Sequence, residues 1–373
     1  MGSEDADPWS ATKKDLREAL ASHDAQATVA TVAAVDGSAY RRPGAKMLVT
    51  ADGGATGAVT AGCLEPLVLD CCDRARRTGR PRVERFDLTS EDETWGLGLG
   101  CNGVIDLLAE PRDLSWNPIV ETLNNGPAVV VTAVESGAET AVGDRVLVDE
   151  AGSRAVPDRD PVPRPHLEGA ADTIDRVTGT DKTTTVDVGE TTLLIDGLTP
   201  VPELLLFGSQ NDLGPLVTLG NQTGFRVVVH SPRGSIDDST FPRADDVRTG
   251  HPSTVAAGVT DEHTYAVVMS HNLVDDRLAV ETLLQETNVP YVGVMGPRDR
   301  FERLRDGLAH DGVELTAAEL DRVAAPVGLD LGGSTPTGIA LSIVSEAVAV
   351  HNDRSGGRLK DRAGPIHPAE HDR

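Results

Sequence analysis

Four cysteines occur in 373 residues, and two of them sit against glycine. Cys63 lies in "TAGCLEPLVLD", after Gly62 and just ahead of a stretch with helical character that begins with Leu64 and Glu65. Cys101 lies in "GLGLGCNG", with Gly100 before it and Gly103 two positions on. A thiol at the head of a helix is drawn toward thiolate by the amide dipoles gathered there. A thiolate is a soft donor, suited to a transition metal or to carrying sulfur. A glycine-rich loop lets backbone amides line an anion-binding concavity. Cys71 and Cys72 fall in mid-helix and are expected to pack as small hydrophobes. No CxxC spacing exists, so a four-cysteine zinc site is not expected.

Cationic groups form a second set. Arg41 and Arg42 precede Pro43-Gly44 in a turn after a strand, where a planar guanidinium can grip phosphate bidentately. Gly208 opens "GSQNDLG", the position of a phosphate loop between a strand and a helix. The dinucleotide fingerprint wants glycine where this chain has Gln210, and an acid at the end of the next strand, which here reads "HSPR". NAD(P) is therefore disfavoured, although the loop can still seat a phosphate of another ligand with Arg233 assisting. His271 and Arg298 each follow a strand expected in the same sheet, where open α/β sheets place ligands. Asp330, in "GLDLGG", is expected to tie down a turn.

These groups need elements to hold them. Trp9 to Ser22 has a helical stripe of Leu16, Ala19 and Leu20. "QATVATVAAVDGS" reads as a strand, "AKMLVTADGGATGAV" as a hairpin, and Leu64–Arg77 as a helix with Pro66 in its first turn and Gly79 ending it. "GVIDLLAEP" and "PAVVVTAVE" read as further strands. Residues 1–147 thus form a mixed α+β domain. Residues 148–199 are expected to connect, through an exposed proline-rich loop "PDRDPVPRPHLEG" and the β-hairpin "TTTVDVGETTLLIDGL". From 200 to 352 strands alternate with helices, as in "ELLLFG", "PLVTLGNQTG" and "FRVVVHS". The fold class is α/β, with a Rossmann-like parallel sheet in this second domain and a charged tail over 353–373.

Hydrophobic residues make up 39 % of the chain, enough for two real cores. A formal net charge of −25 repels a phosphate backbone, which excludes nucleic acid as a partner. Lysine supplies five of the 34 basic residues and arginine the rest. Such an acidic, arginine-rich surface suits a halophilic, salt-filled cytoplasm. The opening "MGSEDADPWS" lacks the features of a secretory signal, and no apolar run reaches the roughly 18 residues of a membrane span. A cytoplasmic location is expected.

Seven blocks come in the order of one family. "VDGSAYRRPGAKMLV", "GAVTAGCLE", "GLGCNGVIDLLAEP", "LLLFGSQNDLGPLV", "VVMSHNLVDDRLAVETLL", "YVGVMGPRDRFERL" and "PVGLDLGGSTPTGIALSIVSEAVA" together resemble the XdhC/CoxI family of xanthine dehydrogenase accessory proteins. The resemblance runs from about Ala27 to His351, with a gap in the proline-rich middle. It implies an accessory protein rather than an enzyme: one that binds molybdenum cofactor (molybdopterin) as cargo and helps its sulfurated form into an apo molybdenum hydroxylase. It also implies a cysteine desulfurase or sulfurtransferase as a further partner, and a homodimer. Matching positions are Gly37, Ser38, Arg41 or Arg42, Gly44 and Ala45; Gly62, Cys63 and Glu65; and Gly100, Cys101 and Gly103. Cys63 and Cys101 would approach the metal end, and the arginines and glycine loops would hold the pterin phosphate. The chain departs from the family at Ser209-Gln210-Asn211, at Ser231, and at Ser270 and Asn272 around His271. Two other readings stay open: an NAD(P)-dependent oxidoreductase, and a ligand-free scaffold bridging a sulfurtransferase and the hydroxylase.

Overall fold

The computed structural model describes residues 11–22, 26–62, 64–88, 103–123, 126–234, 236 and 238–362. The chain divides into two compact units, Met1–Pro200 and Val201–Arg373.

The first unit runs α1 (Lys13–Ala21), β1 (Thr28–Gly37), β2 (Lys46–Val49), β3 (Ala55–Gly57), α2 (Glu65–Thr78), β4 (Arg82–Asp87), β5 (Gly103–Pro111), α3 (Trp116–Thr122) and β6 (Ala128–Ala133). It continues with β7 (Arg145–Asp149), β8 (Gly152–Ala155), α4 (Arg164–Gly169), α5 (Ala171–Val177), β9 (Thr183–Val188) and β10 (Thr191–Leu198). Two antiparallel five-stranded sheets result, ordered β3-β2-β1-β5-β4 and β8-β7-β6-β10-β9. Helix α2 starts with Pro66 in its first turn and stops at Gly79, whose φ of 65° only glycine adopts without strain. Its Val68, Cys71, Cys72 and Ala75 pack on Ala30, Val32, Ile105 and Leu107 of the first sheet. The opposite face of that sheet, with Ala33 and Leu108, meets Val134 and Leu194 beside and within the second sheet. Helix α5 closes the far side with Ile174 and Val177 on Val131, Leu193 and Ile195.

Residues 148–199 differ from the expected connector. They fold into the first unit, where β10 is an interior strand between β6 and β9. The reason is β6, "AVVVTA", which is buried throughout and needs a neighbour on both edges. The proline-rich loop is likewise partly inside: Val162 is buried, and Pro163 and Pro165 open α4.

The second unit runs β11 (Glu203–Phe207), α6 (Leu213–Gln222), β12 (Arg226–Ser231), β13 (Asp246–Thr249), β14 (Thr264–Val268) and α7 (Leu273–Glu286). Then follow β15 (Tyr291–Val294), α8 (Arg298–His310), α9 (Ala317–Asp321), β16 (Val323–Ala324) and α10 (Pro336–His351). The strands form one parallel sheet ordered β13-β12-β11-β14-β15-β16. Alternation along β11 explains the two layers of helix: Leu204 and Leu206 join α6 and α10, while Leu205 and Phe207 join α7. Strand order reverses between β11 and β14, the switch point at which open α/β sheets leave a crevice.

Candidate functional site

In the first unit, Cys63, Gly100 and Cys101 lie outside the described residues, and so does the expected meeting of their sulfurs. Their flanks are described. Gly62 has φ of 94°, donates its N–H to Thr60 Oγ1 at 3.3 Å, and offers its carbonyl to the Glu65 amide at 3.4 Å. This turn feeds α2, and Glu65 lines a small hollow with Met47, Val59, Thr60 and Val68. Gly103 begins β5 opposite Gly37. A Cβ there would stand 2.5 Å from the Asp36 carbonyl oxygen and 2.8 Å from Ser38 backbone, so strand crowding alone demands glycine.

Arg41 and Arg42 are exposed and make no ion pair among the described residues. Their turn is moored from below. The Gly44 amide donates to Val32 at 2.8 Å, and Lys46 Nζ reaches the Gly44 carbonyl at 3.1 Å and the Asp196 carboxylate at 2.6 Å. Thr183 Oγ1 donates to the other Asp196 oxygen at 2.6 Å. Lys46 and Asp196 are both buried, so the arginines ride on a rigid base.

In the second unit the candidate residues of the sequence gather about the switch point. β11 leads into Gly208, where an added Cβ would sit 3.0 Å from the Met269 carbonyl oxygen at the end of β14. A dinucleotide site uses the first amides of the following helix. In α6 those are spoken for: Leu213 N–H donates to Gln210 and Gly214 N–H to Asn211, each at 3.2 Å. The third position is Pro215, which has no N–H. At the end of β12, burial holds the His230 imidazole below its ordinary pKa, so it stays neutral against Phe207. Ser231 Oγ accepts from the Arg233 amide at 3.1 Å, and Arg233 itself is exposed.

His271 follows β14 with a left-handed backbone, φ 62°. Its Nε2 donates to Asp212 Oδ2 at 2.7 Å, joining the loops after β11 and β14. Asn272 caps α7 by accepting from Val274 and Asp275. Ser270 donates to buried Asp276 through both its amide, at 3.0 Å, and its hydroxyl, at 2.5 Å. Arg300 closes on the other Asp276 oxygen at 2.5 Å. Arg298, the first residue of α8, is exposed. Sequence reasoning singled out His271 and Arg298 and missed Asp212, Asp276 and Arg300. The missing signals were positional: Asp212 stands at an N-cap, Asp276 lies four residues beyond another, and Arg300 is the second arginine of "GPRDR". Among the described residues no cluster of three or more His, Cys, Asp or Glu is placed to hold a metal.

The whole chain can be set beside known proteins. Residues 204–347 match the XdhC Rossmann domain, and residues 20–87 match the XdhC and CoxI family. A probable xanthine dehydrogenase subunit of Bacillus subtilis (strain 168) is 30 % identical over 341 residues, covering 89 % of this chain and 96 % of that protein. The chain belongs to the XdhC and CoxI family. A crystal structure of a xanthine dehydrogenase from Bacillus halodurans superposes with a TM-score of 0.73 at 27 % identity, covering 94 % of this chain and 98 % of that one. The uncharacterized protein YqeB of Escherichia coli (strain K12) is 25 % identical over 173 residues, which are 46 % of this XdhC chain and 30 % of that protein. Among the described residues of this family member, no helix is long and apolar enough to cross a membrane.

Proposed function

We propose that this XdhC-family protein is an accessory factor for a molybdenum hydroxylase of the xanthine dehydrogenase type. In this reading it binds molybdenum cofactor as cargo, assists its sulfuration, and delivers it to the apo-hydroxylase. The observation that carries the reading is a likeness, over nearly the full length of both chains, to the Bacillus subtilis xanthine dehydrogenase protein. The closed first turn of α6 supports it from the other side, because a hydride-transferring Rossmann domain needs those amides for the cofactor pyrophosphate. Cys63 and Cys101 are assigned to the metal end, and exposed Arg41 and Arg42 to the pterin phosphate. A cysteine desulfurase or sulfurtransferase is the partner that would supply sulfur, and a homodimer is the expected assembly.

The test is purification from a host that makes the cofactor, followed by fluorescence of the oxidised pterin. Pterin should accompany the folded chain and be lost when Cys63 and Cys101 are both replaced by serine. Folded protein that carries no pterin at any salt concentration rejects the proposal. NADH and NADPH should show no saturable binding up to about 1 mM, and tight binding of either would favour an oxidoreductase instead.

A further inference from the structure

The chain carries 59 acidic residues against 34 basic ones, yet cations gather at one corner of the first unit. Three of its five lysines, Lys13, Lys46 and Lys182, belong to this corner. Lys13 Nζ meets the Asp181 carboxylate at 2.7 Å, and Lys46 Nζ meets that of Asp196 at 2.6 Å. The Thr199 hydroxyl donates to Asp181 at 2.8 Å and the Thr183 hydroxyl to Asp196 at 2.6 Å. Both acids at the foot of the Gly44 turn are thereby engaged. Arg41 and Arg42 lie on that turn, and Lys182 adjoins the Thr183 that packs under Gly44. All three are exposed, and among the described residues their side chains make no hydrogen bond or ion pair. Tyr40 precedes the arginines and is 65 % exposed, more than any other large hydrophobic side chain among the described residues. Tyrosine and arginine are the types that anchor protein interfaces.

The structure assigns this corner as a docking surface for an acidic protein face, with Tyr40, Arg41 and Arg42 at its centre and Lys182 at its rim. A net charge of −25 turns an acidic partner away from most other approaches, so the free cations select both partner and register. The turn needs little ordering on binding, because Gly44 and Lys46 already fix its base. Tyr40 and Lys182 lie outside the phosphate role given to the two arginines above. The turn's own amides add nothing to such a role, since Gly44 N–H is given to Val32 and Ala45 N–H to Arg42. A nucleic acid also presents anions, but its continuous backbone charge would meet the surrounding acids as well. The acidic character of the partner stands on this geometry; naming that partner as the apo-hydroxylase rests on the accessory reading above.

The experiment titrates the full chain by calorimetry with the xanthine dehydrogenase-type hydroxylase of the same organism, purified without cofactor. Poly-L-glutamate is the second probe, and potassium chloride is varied from about 0.1 to about 1 M. Wild type should bind both probes, more weakly as salt rises. Tyr40→Ala should weaken hydroxylase binding about tenfold, and Arg41→Glu with Arg42→Glu about a hundredfold, the sizes expected of interface anchors. Lys182→Glu should chiefly flatten the salt dependence, as loss of a rim charge does, and Lys182→Arg should match wild type. All these positions are exposed, so the urea midpoint should hold and a folding defect is read separately. Four results would each overturn the surface: failure of wild type to bind the apo-hydroxylase, unchanged affinity in the Tyr40 and double-arginine variants, binding of a single-stranded oligonucleotide in place of polyglutamate, or self-association of wild type through these residues. If wild type carries pterin but the variants bind apo-hydroxylase as wild type does, the accessory reading stands and this surface falls. If no pterin is carried yet apo-hydroxylase binds through these residues, the cargo reading falls and the surface stands.

Discussion

Gly44 shows what the arginine turn asks of single residues. Its φ is 89°, and a Cβ there would lie 2.2 Å from Thr183 Oγ1. Gly44→Ala should cost about 2–4 kcal/mol from strained backbone plus overpacking, read as a lower midpoint in urea. Arg41→Ala, exposed on the same turn, should leave the midpoint within about 0.5 kcal/mol of wild type, so any lost cofactor in that variant reflects binding. Thiol reactivity separates the cysteines. Burial pushes the Cys71 thiol up to about 11 and that of Cys72 up to about 12. At neutral pH only about one in 10⁴ or fewer of these groups is a thiolate, so an aromatic disulfide reagent should label neither until the protein unfolds. Label taken up by the native chain would then report Cys63 and Cys101.

At the scale of elements, the two sheets of the first unit are joined by charge as well as by apolar contact. Glu110 on β5 receives two bonds from Arg145 Nη2 on β7, at 2.5 and 2.7 Å, with both side chains buried. Arg159 adds a longer contact to Glu110 at 3.4 Å and one to Asp113 at 2.7 Å. Arg145 also lies 5.0 Å over the Trp116 ring. Glu110→Gln or Arg145→Met alone should destabilise by about 3–5 kcal/mol, because each takes the close partner from a buried charge, leaving Glu110 in the second case with only the longer Arg159 contact. The double variant should lose less than the two singles combined, which a double-mutant cycle in urea measures. Helix α2 contributes a pH dependence with a definite sign. Both its thiols have folded values above the ordinary 9.0, so the unfolded chain gives up these protons first. Their contribution to stability is whole below pH 9 and is lost as pH rises through about 11 to 12. Replacing Cys71 and Cys72 by alanine should flatten that alkaline limb of the unfolding midpoint.

For the whole molecule the dominant quantity is the formal charge of −25. Self-repulsion of that size opposes compactness and is screened by salt. Raising potassium chloride from about 0.1 to about 2 M should therefore raise Tm, each kcal/mol of relieved repulsion being worth about 2–4 °C for units of this size. An unchanged or falling Tm would remove salt adaptation as the reason for the composition. Much at this scale was legible in the residues. Strand–helix alternation from Glu203 onward specifies a parallel sheet, since parallel neighbours need a crossover helix and both faces must then be apolar. The damaged fingerprint at Gln210 and the ordered motif blocks were equally readable, because each depends on residue type at short range. The limits of the first unit were not. β6 pairs with β10 some sixty residues later in the chain, and no local pattern announces such a partner. The same holds for Lys46 with Asp196 and for Glu110 with Arg145, whose pairing exists only once two sheets are stacked. The sequence alone settled the family, the parallel sheet and His271 at a strand end. Only the tertiary structure decided that Asp212 leaves its own helix uncapped to hold that histidine, because the two loops become neighbours only where strand order reverses.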